Sequence, residues 1–271
     1  MDDTSTMVRQ REALRWTFGS VAARYQRARP DYPVALYDEL ERAADLQPGD
    51  HLLEIGCGTG KATMPLAQRG YAITCIELGR ELSREAQRNL EVFPEVEVVH
   101  ASFEEWEPST RTSFDLVRSD GWHWIDPEVR YRKAARLLCK GGHLAFWTAS
   151  HVFPEGGDPF FREIQPVYDD IGESLPLGTQ WTRPDKLTDD RVEIEASGLF
   201  DEVIVRRYDW EVAYDANGYL DLLDSFSGHI AMQAEKRERL YAEIRRRLGA
   251  RPDGLLRRHW GTVRHVARRR D

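Results

Sequence analysis

The residues with the clearest chemical content in this chain are Glu54, the glycines at 56, 58 and 60, and a second acid, Glu77. In "LLEIGCGTGKAT", Leu52 to Thr63, an apolar run breaks into alternating glycines and then takes up helical spacing. Removing side chains at every second position lets a ligand approach the backbone, and a strand turning into a helix aims its N–H groups at that ligand. A dinucleotide fold wants G-x-G-x-x-G, yet the position three after Gly58 is Lys61, and no G-x-x-x-x-G-K-[ST] can be written here. What remains is a ligand without phosphate. Its ribose hydroxyls would meet Glu77 at the tip of "AITCIE", and its amino group would meet Glu54, directly or through water and the glycine loop. S-adenosylmethionine (SAM) has these parts. The bland alternative is a tight structural turn with Glu77 as a surface acid.

A second unusual stretch is "SDGWHWID", Ser119 to Asp126, just past an expected strand. Trp122 and Trp124 flank His123, and strand-like alternation predicts that the two indoles share one face and one environment. Indole faces attract a sulfonium and exclude water; packing under the following helix is the other use for them. His123 has the protonation range of a general base. Yet displacement from an activated donor depends mainly on positioning, and a carboxylate acceptor needs no base. His123 is therefore either a base, for an acceptor that must lose a proton, or a structural residue.

Alternating elements must position these residues. Strands are expected at 51–55, 72–77, 96–100, 114–118 and 143–148, with helices at 61–69 (ending on Gly70), 80–92 and 126–139. For the last helix Asp126 serves as N-cap and Pro127 as N1, and Gly141-Gly142 is the expected terminator. This predicts a Rossmann-like α/β fold, a seven-stranded, mostly parallel sheet with helices on both faces. The economical organisation is a single domain over 1–271: a helical cap at 1–47, a ligand-binding core at 48–150, and lid segments plus two final strands at 151–271. Cap helices are expected at 12–27 and 34–44, and the final strands at 201–215 and 256–267. The lid is aromatic-rich, with Phe153, Phe160, Phe161, Tyr168, Trp181, Tyr219 and Phe226. It suits either a planar acceptor or a lid packing on its own core.

Composition narrows the classes. A net charge of −8 argues against a nucleic-acid partner, and the run at Arg245 to Arg247 reads as a solvated helix face. Cys57, Cys75 and Cys139 form no C-x-x-C pair, so no metal site or disulfide framework is expected, only buried reduced thiols. No apolar run reaches membrane-spanning length, and "MDDTSTMVRQ" lacks the apolar stretch of a secretory signal. A cytoplasmic protein acting on a small molecule is the expectation.

"LEIGCGTG", Glu77, "ASFEEW" and "FDLVRSDGWHWID" together resemble the ordered motifs of class I SAM-dependent methyltransferases. The likeness is nearest to the small-molecule branch that includes trans-aconitate methyltransferase, and "FGSVAARYQRARPDYP" resembles that branch's cap. The resemblance covers residues 16–150 firmly and the rest more loosely. It implies that Gly56, Gly58, Thr59 and Gly60 line the methionine part of the cofactor. Glu77 would hold the ribose, Leu78 would pack beside the adenine, and Ser102 and Phe103 would meet the adenine edge. Ser119 would lie near the sulfonium, with Trp122 and Trp124 toward the substrate. Tyr25 and Arg29 would close from the cap, Arg29 pairing with the cofactor carboxylate or else only with Asp31. The implied activity is methyl transfer from SAM to O or N of a metabolite. A SAM fold running a non-methylating reaction, or a non-catalytic SAM-binding module, carries the same binding motifs. The Asn/Asp-Pro-Pro-aromatic stretch of nucleobase amino methylation is absent, and the oligomeric state stays open.

Overall fold

The computed structural model describes residues 26–109, 112–175 and 181–271. Tyr25 and most of the helix expected at 12–27 lie outside these residues. After α1 (Val34–Ala43), the chain alternates through β1 (His51–Ile55), α2 (Thr63–Ala67), β2 (Ala72–Glu77), α3 (Arg80–Leu90), β3 (Val96–His100), β4 (Phe114–Ser119), α4 (Pro127–Leu137) and β5 (Leu138–Phe146). There follow β6 (Ser150–His151), α5 (Phe160–Glu163), α6 (Gln165–Asp170), α7 (Arg191–Ala196), β7 (Phe200–Tyr214), α8 (Ala216–Leu223), α9 (Ser227–Ala231), α10 (Ala234–Gly249) and β8 (Leu256–Arg269).

Side-chain alternation explains why the sheet is covered on both faces. Leu53, Ile55, Val117, Leu144 and Phe146 enter one core layer, while Leu52, Leu116, Ala145 and Trp147 enter the other. The strands run β3-β2-β1-β4-β5-β8, the first five parallel and β8 antiparallel to β5; β7 and the two-residue β6 also pair with β8. The short β6 makes the sheet eight-stranded where seven strands are expected.

One helix end differs from the sequence reading. Asp126 does cap α4, accepting the Glu128 N–H at 2.8 Å. Gly141-Gly142, however, does not terminate the helix, which ends at Leu137. The glycines sit inside β5, where its pairing with β4 slips between Phe114 and Leu116. A Cβ on Gly142 would lie 3.0 Å from the Phe114 carbonyl oxygen, so the bulge itself needs the glycine.

The antiparallel pair β7–β8 extends from Phe200 to Tyr214 against Arg269 to Leu256. Its far end carries α8 and α10, with Tyr219, Leu240 and Ile244 packed against Tyr214, Leu256 and Trp260. The lid aromatics join this same cluster: Phe160, Phe161 and Tyr219 at its centre, with Phe153, Tyr168, Trp181 and Phe226 against it. These rings pack on one another and on α8 and α10. On α10, Arg246 and Arg247 both pair with Glu243, a solvated helix face. Cys57 and Cys75 are buried, whereas Cys139 is only partly so; all three are free thiols. Among the described residues no group of His, Cys, Asp and Glu could hold a metal ion, and no helix is long and apolar enough to cross a membrane.

Candidate active site

A cavity of about 330 Å³ opens at the carboxyl ends of β1, β2 and β4, where the strand order reverses. The glycine loop forms its floor, but the three glycines do different work. Gly56 (φ 71°) and Gly58 (φ 59°) line the cavity, and a Cβ on either would meet nothing within 4 Å. A Cβ on Gly60 would instead come 2.7 Å from Leu90 Cδ1, so this glycine lets α3 pack on the loop. Thr59 is fully buried; its hydroxyl bonds Gln26 Oε1 and its carbonyl accepts Asn89 Nδ2 at 2.9 Å. Thr59 and Gly60 shape the loop and do not line the cavity.

The two acids also divide. Glu77 lines the cavity, its Oε2 accepting the Gly58 N–H at 2.8 Å and its Oε1 the Gly79 N–H at 2.7 Å. These bonds hold the carboxylate at the rim and fix the glycine loop. Glu54 is 1 % exposed and faces away from the cavity lining, ion-paired with Arg118. The reading of Glu54 as a cofactor contact is therefore corrected: Glu77 tethers the loop, and Glu54 neutralises a buried guanidinium. The register makes this so, since Glu54 and Arg118 are cross-strand neighbours on β1 and β4. Arg118 also lies 3.6 Å from Asp120 and stacks over Trp147 at 4.2 Å. Burial opposes its charge, but the Glu54 and Asp120 carboxylates outweigh that and hold its pKa above the ordinary value.

Leu78 and Phe103 line the cavity. Ser102 does not: its hydroxyl donates to Glu104 at 3.1 Å and accepts the Glu105 N–H, closing a turn. Ser119, also placed at the site by resemblance, is buried beneath it. Its Oγ donates to the Ile55 carbonyl at 2.9 Å and accepts the Gly121 N–H at 3.0 Å, clamping the ends of β1 and β4. Arg29 lines the cavity and donates to Ser225 Oγ at 2.9 Å, with its guanidinium 4.2 Å from the Phe226 ring centre. Asp31, its expected alternative partner, pairs with Lys61 at 2.9 Å.

The two tryptophans part company because Trp122–Trp124 forms a 3₁₀ turn rather than an extended strand. Trp122 is buried and stacks on Phe146, with centroids 5.2 Å apart and planes at 11°. Trp124 is 41 % exposed and lines the cavity. The shared face expected from alternation is thus overturned. His123 lines a neighbouring cavity of about 240 Å³, where its Nε2 lies 3.3 Å from Asp190 Oδ2. That contact, which outweighs the effect of burial, holds the Asp190 carboxyl below its usual range. His265 completes the group by accepting the Asp190 N–H at 3.0 Å. Asp120 and Thr148 form a wall common to both cavities.

Sequence reasoning missed Arg118, Asp120 and Tyr32. A signal for the first existed: an arginine inside the apolar strand "FDLVRS" demands a buried acid, and Glu54 in "HLLEI" is one. Tyr32 lines the cavity, and its OH accepts the Ala149 N–H at 3.2 Å.

A family model described as a methyltransferase domain matches residues 53–146, spanning β1 to the end of β5. An uncharacterized methyltransferase of Mycobacterium tuberculosis is 30% identical over 188 residues, 65% of this chain and 74% of the relative. The chain belongs to the class I SAM-dependent methyltransferases. Their methyl donor is S-adenosylmethionine. A solved structure of a proposed type II methyltransferase from Anaeromyxobacter dehalogenans shares the fold, with a TM-score of 0.62 and 22% identity over 89% of this chain and 97% of that one. Over a shorter span of 136 residues (46% of this chain, 54% of the relative) the chain is 30% identical to a tRNA1(Val) adenine N6-methyltransferase of Klebsiella pneumoniae. The methyltransferase lineage is thus fixed, and the acceptor is a separate question.

Proposed function

We propose that the chain transfers a methyl group from SAM to an oxygen or nitrogen atom of a small metabolite, with the donor held in the 330 Å³ cavity. One observation carries this reading. Two glycines that present open backbone to the cavity stand beside an acid whose position is fixed by that same backbone. The residues present fit the cofactor. Gly56 and Gly58 admit its methionine portion, the Glu77 carboxylate on the cavity lining suits a ribose diol, and Leu78 and Phe103 offer apolar surface for adenine. Arg29 is placed to meet its carboxylate. Bound there, the cofactor would supply an activated sulfonium methyl group for transfer to an acceptor lone pair.

The protein's own contribution is positioning and exclusion of water. Trp124, on the cavity wall, presents an aromatic face suited to a cation. His123, directed to the neighbouring cavity and paired with Asp190, is a less direct candidate base than its position in the sequence suggests. An acidic chain of net charge −8 favours a small acceptor over tRNA.

Calorimetric titration with S-adenosylhomocysteine, with NAD as control, tests the first half. Saturable one-to-one binding of the former alone is expected, and equal binding of NAD would sink it. Transfer of labelled methyl to a metabolite extract but not to bulk tRNA is the expected result for the second half. Labelling of tRNA alone would overturn the small-molecule assignment.

A further inference from the structure

Arg258, on β8, is 5 % exposed, and among the described residues no carboxylate lies within ion-pairing distance of it. Aromatic rings surround it instead: its guanidinium carbon is 4.7 Å from the Trp260 ring centre, 5.2 Å from Phe226, 5.9 Å from Tyr219 and 6.0 Å from Phe161. The ionisable neighbours offer it no counter-charge. Burial raises the pKa of Tyr168, Tyr214 and Tyr219, so their phenols stay protonated. Burial, reinforced by Arg258 itself, pushes His151 down to about 2 and His229 down to about 4, so both imidazoles stay neutral. A second guanidinium, Arg29, lies against the opposite member of the same box, 4.2 Å from the Phe226 centre.

Sequestering a cation from water without an anion is costly, and contacts with ring faces recover only part of that cost. A protein needing only apolar packing there would do better with Met or Leu. The box also adjoins the donor cavity. Arg29 and Ala149 line that cavity, and two residues beyond Ala149, His151 stands in the box with its ring centre 6.2 Å from that of Trp260.

We propose that Arg258 is the anion anchor of the methyl acceptor, and that the acceptor is a small monocarboxylate with an apolar, ring-sized body. This rests on the donor occupying the neighbouring cavity. The carboxylate is the handle, held by Arg258 with Arg29 adding to the local positive potential; the partly buried ring of Phe226, in reach of both guanidinium groups, faces the apolar body. The methylated oxygen or nitrogen is another atom of the same molecule, presented toward the donor. The guanidinium fork of Arg258 matches the two oxygens of a carboxylate, whereas a phosphate monoester presents three. No base near the carboxylate is required, since it binds as the anion.

The test is calorimetry on the full chain, in three steps on one sample. S-adenosylhomocysteine is titrated first; if it fails to bind, the donor reading falls by itself. With that ligand saturating, benzoate and 4-hydroxybenzoate are titrated against benzyl alcohol and phenyl phosphate. Saturable binding of the carboxylates is expected, with the alcohol and the phosphate at least tenfold weaker. Tighter binding of phenyl phosphate, or no carboxylate binding beside intact S-adenosylhomocysteine binding, overturns the inference alone. Arg258→Met should lose carboxylate affinity at least tenfold, keep S-adenosylhomocysteine affinity, and melt at or above the wild-type temperature. Arg258→Lys should retain part of the carboxylate affinity. Failure of Arg258→Met to fold, or a melting point several degrees lower, marks the guanidinium as a structural member and overturns the proposal.

Discussion

Arg118 and Arg258 are both buried beside a tryptophan ring, and they are managed in opposite ways. Arg118 sits in the middle of the sheet with Glu54 as its cross-strand neighbour, Asp120 at 3.6 Å and Trp147 beneath it. Arg258 sits at the outer end of β8 among four rings with no acid. A charge that belongs to the scaffold is neutralised by the scaffold. A charge left without a counter-ion points to a partner from outside.

The sharpest way to break this comparison is to remove each cation. Arg118→Met strands Glu54 in the core and should cost about 3–5 kcal/mol of unfolding free energy, read as a lower urea midpoint at unchanged m-value. The double variant Glu54→Leu/Arg118→Met should recover most of that, because an apolar pair can replace a buried ion pair at little cost. Equal losses for Arg118→Met and Arg258→Met would erase the distinction. Next in size is Gly60→Ala, which combines a positive φ with a 2.7 Å approach to Leu90 and should cost about 1–3 kcal/mol by thermal melting. Gly58→Ala has the φ strain without the clash, so its larger signature should be weakened S-adenosylhomocysteine binding.

A pH titration sharpens the contrast further. His151 is depressed to about 2 by burial and by the unpaired Arg258, whereas an unfolded chain binds that proton near pH 6.5. Between these values the unfolded state holds the extra proton. Stability contributed by neutral His151 is therefore full above about pH 6.5 and falls as pH drops, by about 1.4 kcal/mol per unit. His151→Phe should flatten that slope; an unchanged slope would assign it elsewhere. The smallest effect is expected from His123→Ala, whose turnover should stay near normal because the ring pairs with Asp190 in the lining of a separate cavity. A loss of a hundredfold or more at intact S-adenosylhomocysteine affinity would restore it as the base.

Legibility followed the range of the interaction. The glycine loop, Glu77 and the Asp126 cap were readable because strand breaks, positive φ and N-capping are settled within a few residues. β1, β2 and β4 were readable because both faces are buried and apolar runs persist, and the edge strand β3, only partly buried, from its valines at 96, 98 and 99. Gly141-Gly142 misled because a helix terminator and a strand bulge use the same residue for the same lack of a Cβ. Trp122 and Trp124 misled because the period assumed was two, and a 3₁₀ turn rotates neighbours differently. Ser102 and Ser119 stand next to the cavity in sequence, yet their hydroxyls are spent on the Glu105 and Gly121 amides.

By itself the sequence determined where the backbone must come close to a ligand, which acid stands at the second strand tip, and that no dinucleotide pattern could be written, since each follows from local covalent geometry. Only the tertiary structure decided which acid pairs with Arg118, which glycine serves packing, and which arginine is left among rings. Those outcomes depend on strand register and on side chains brought together from distant parts of the chain, Glu54 with Arg118 and Arg258 with Phe161 and Phe226. Burial then sets the cost of every charge so placed, and burial is a property of the assembled fold.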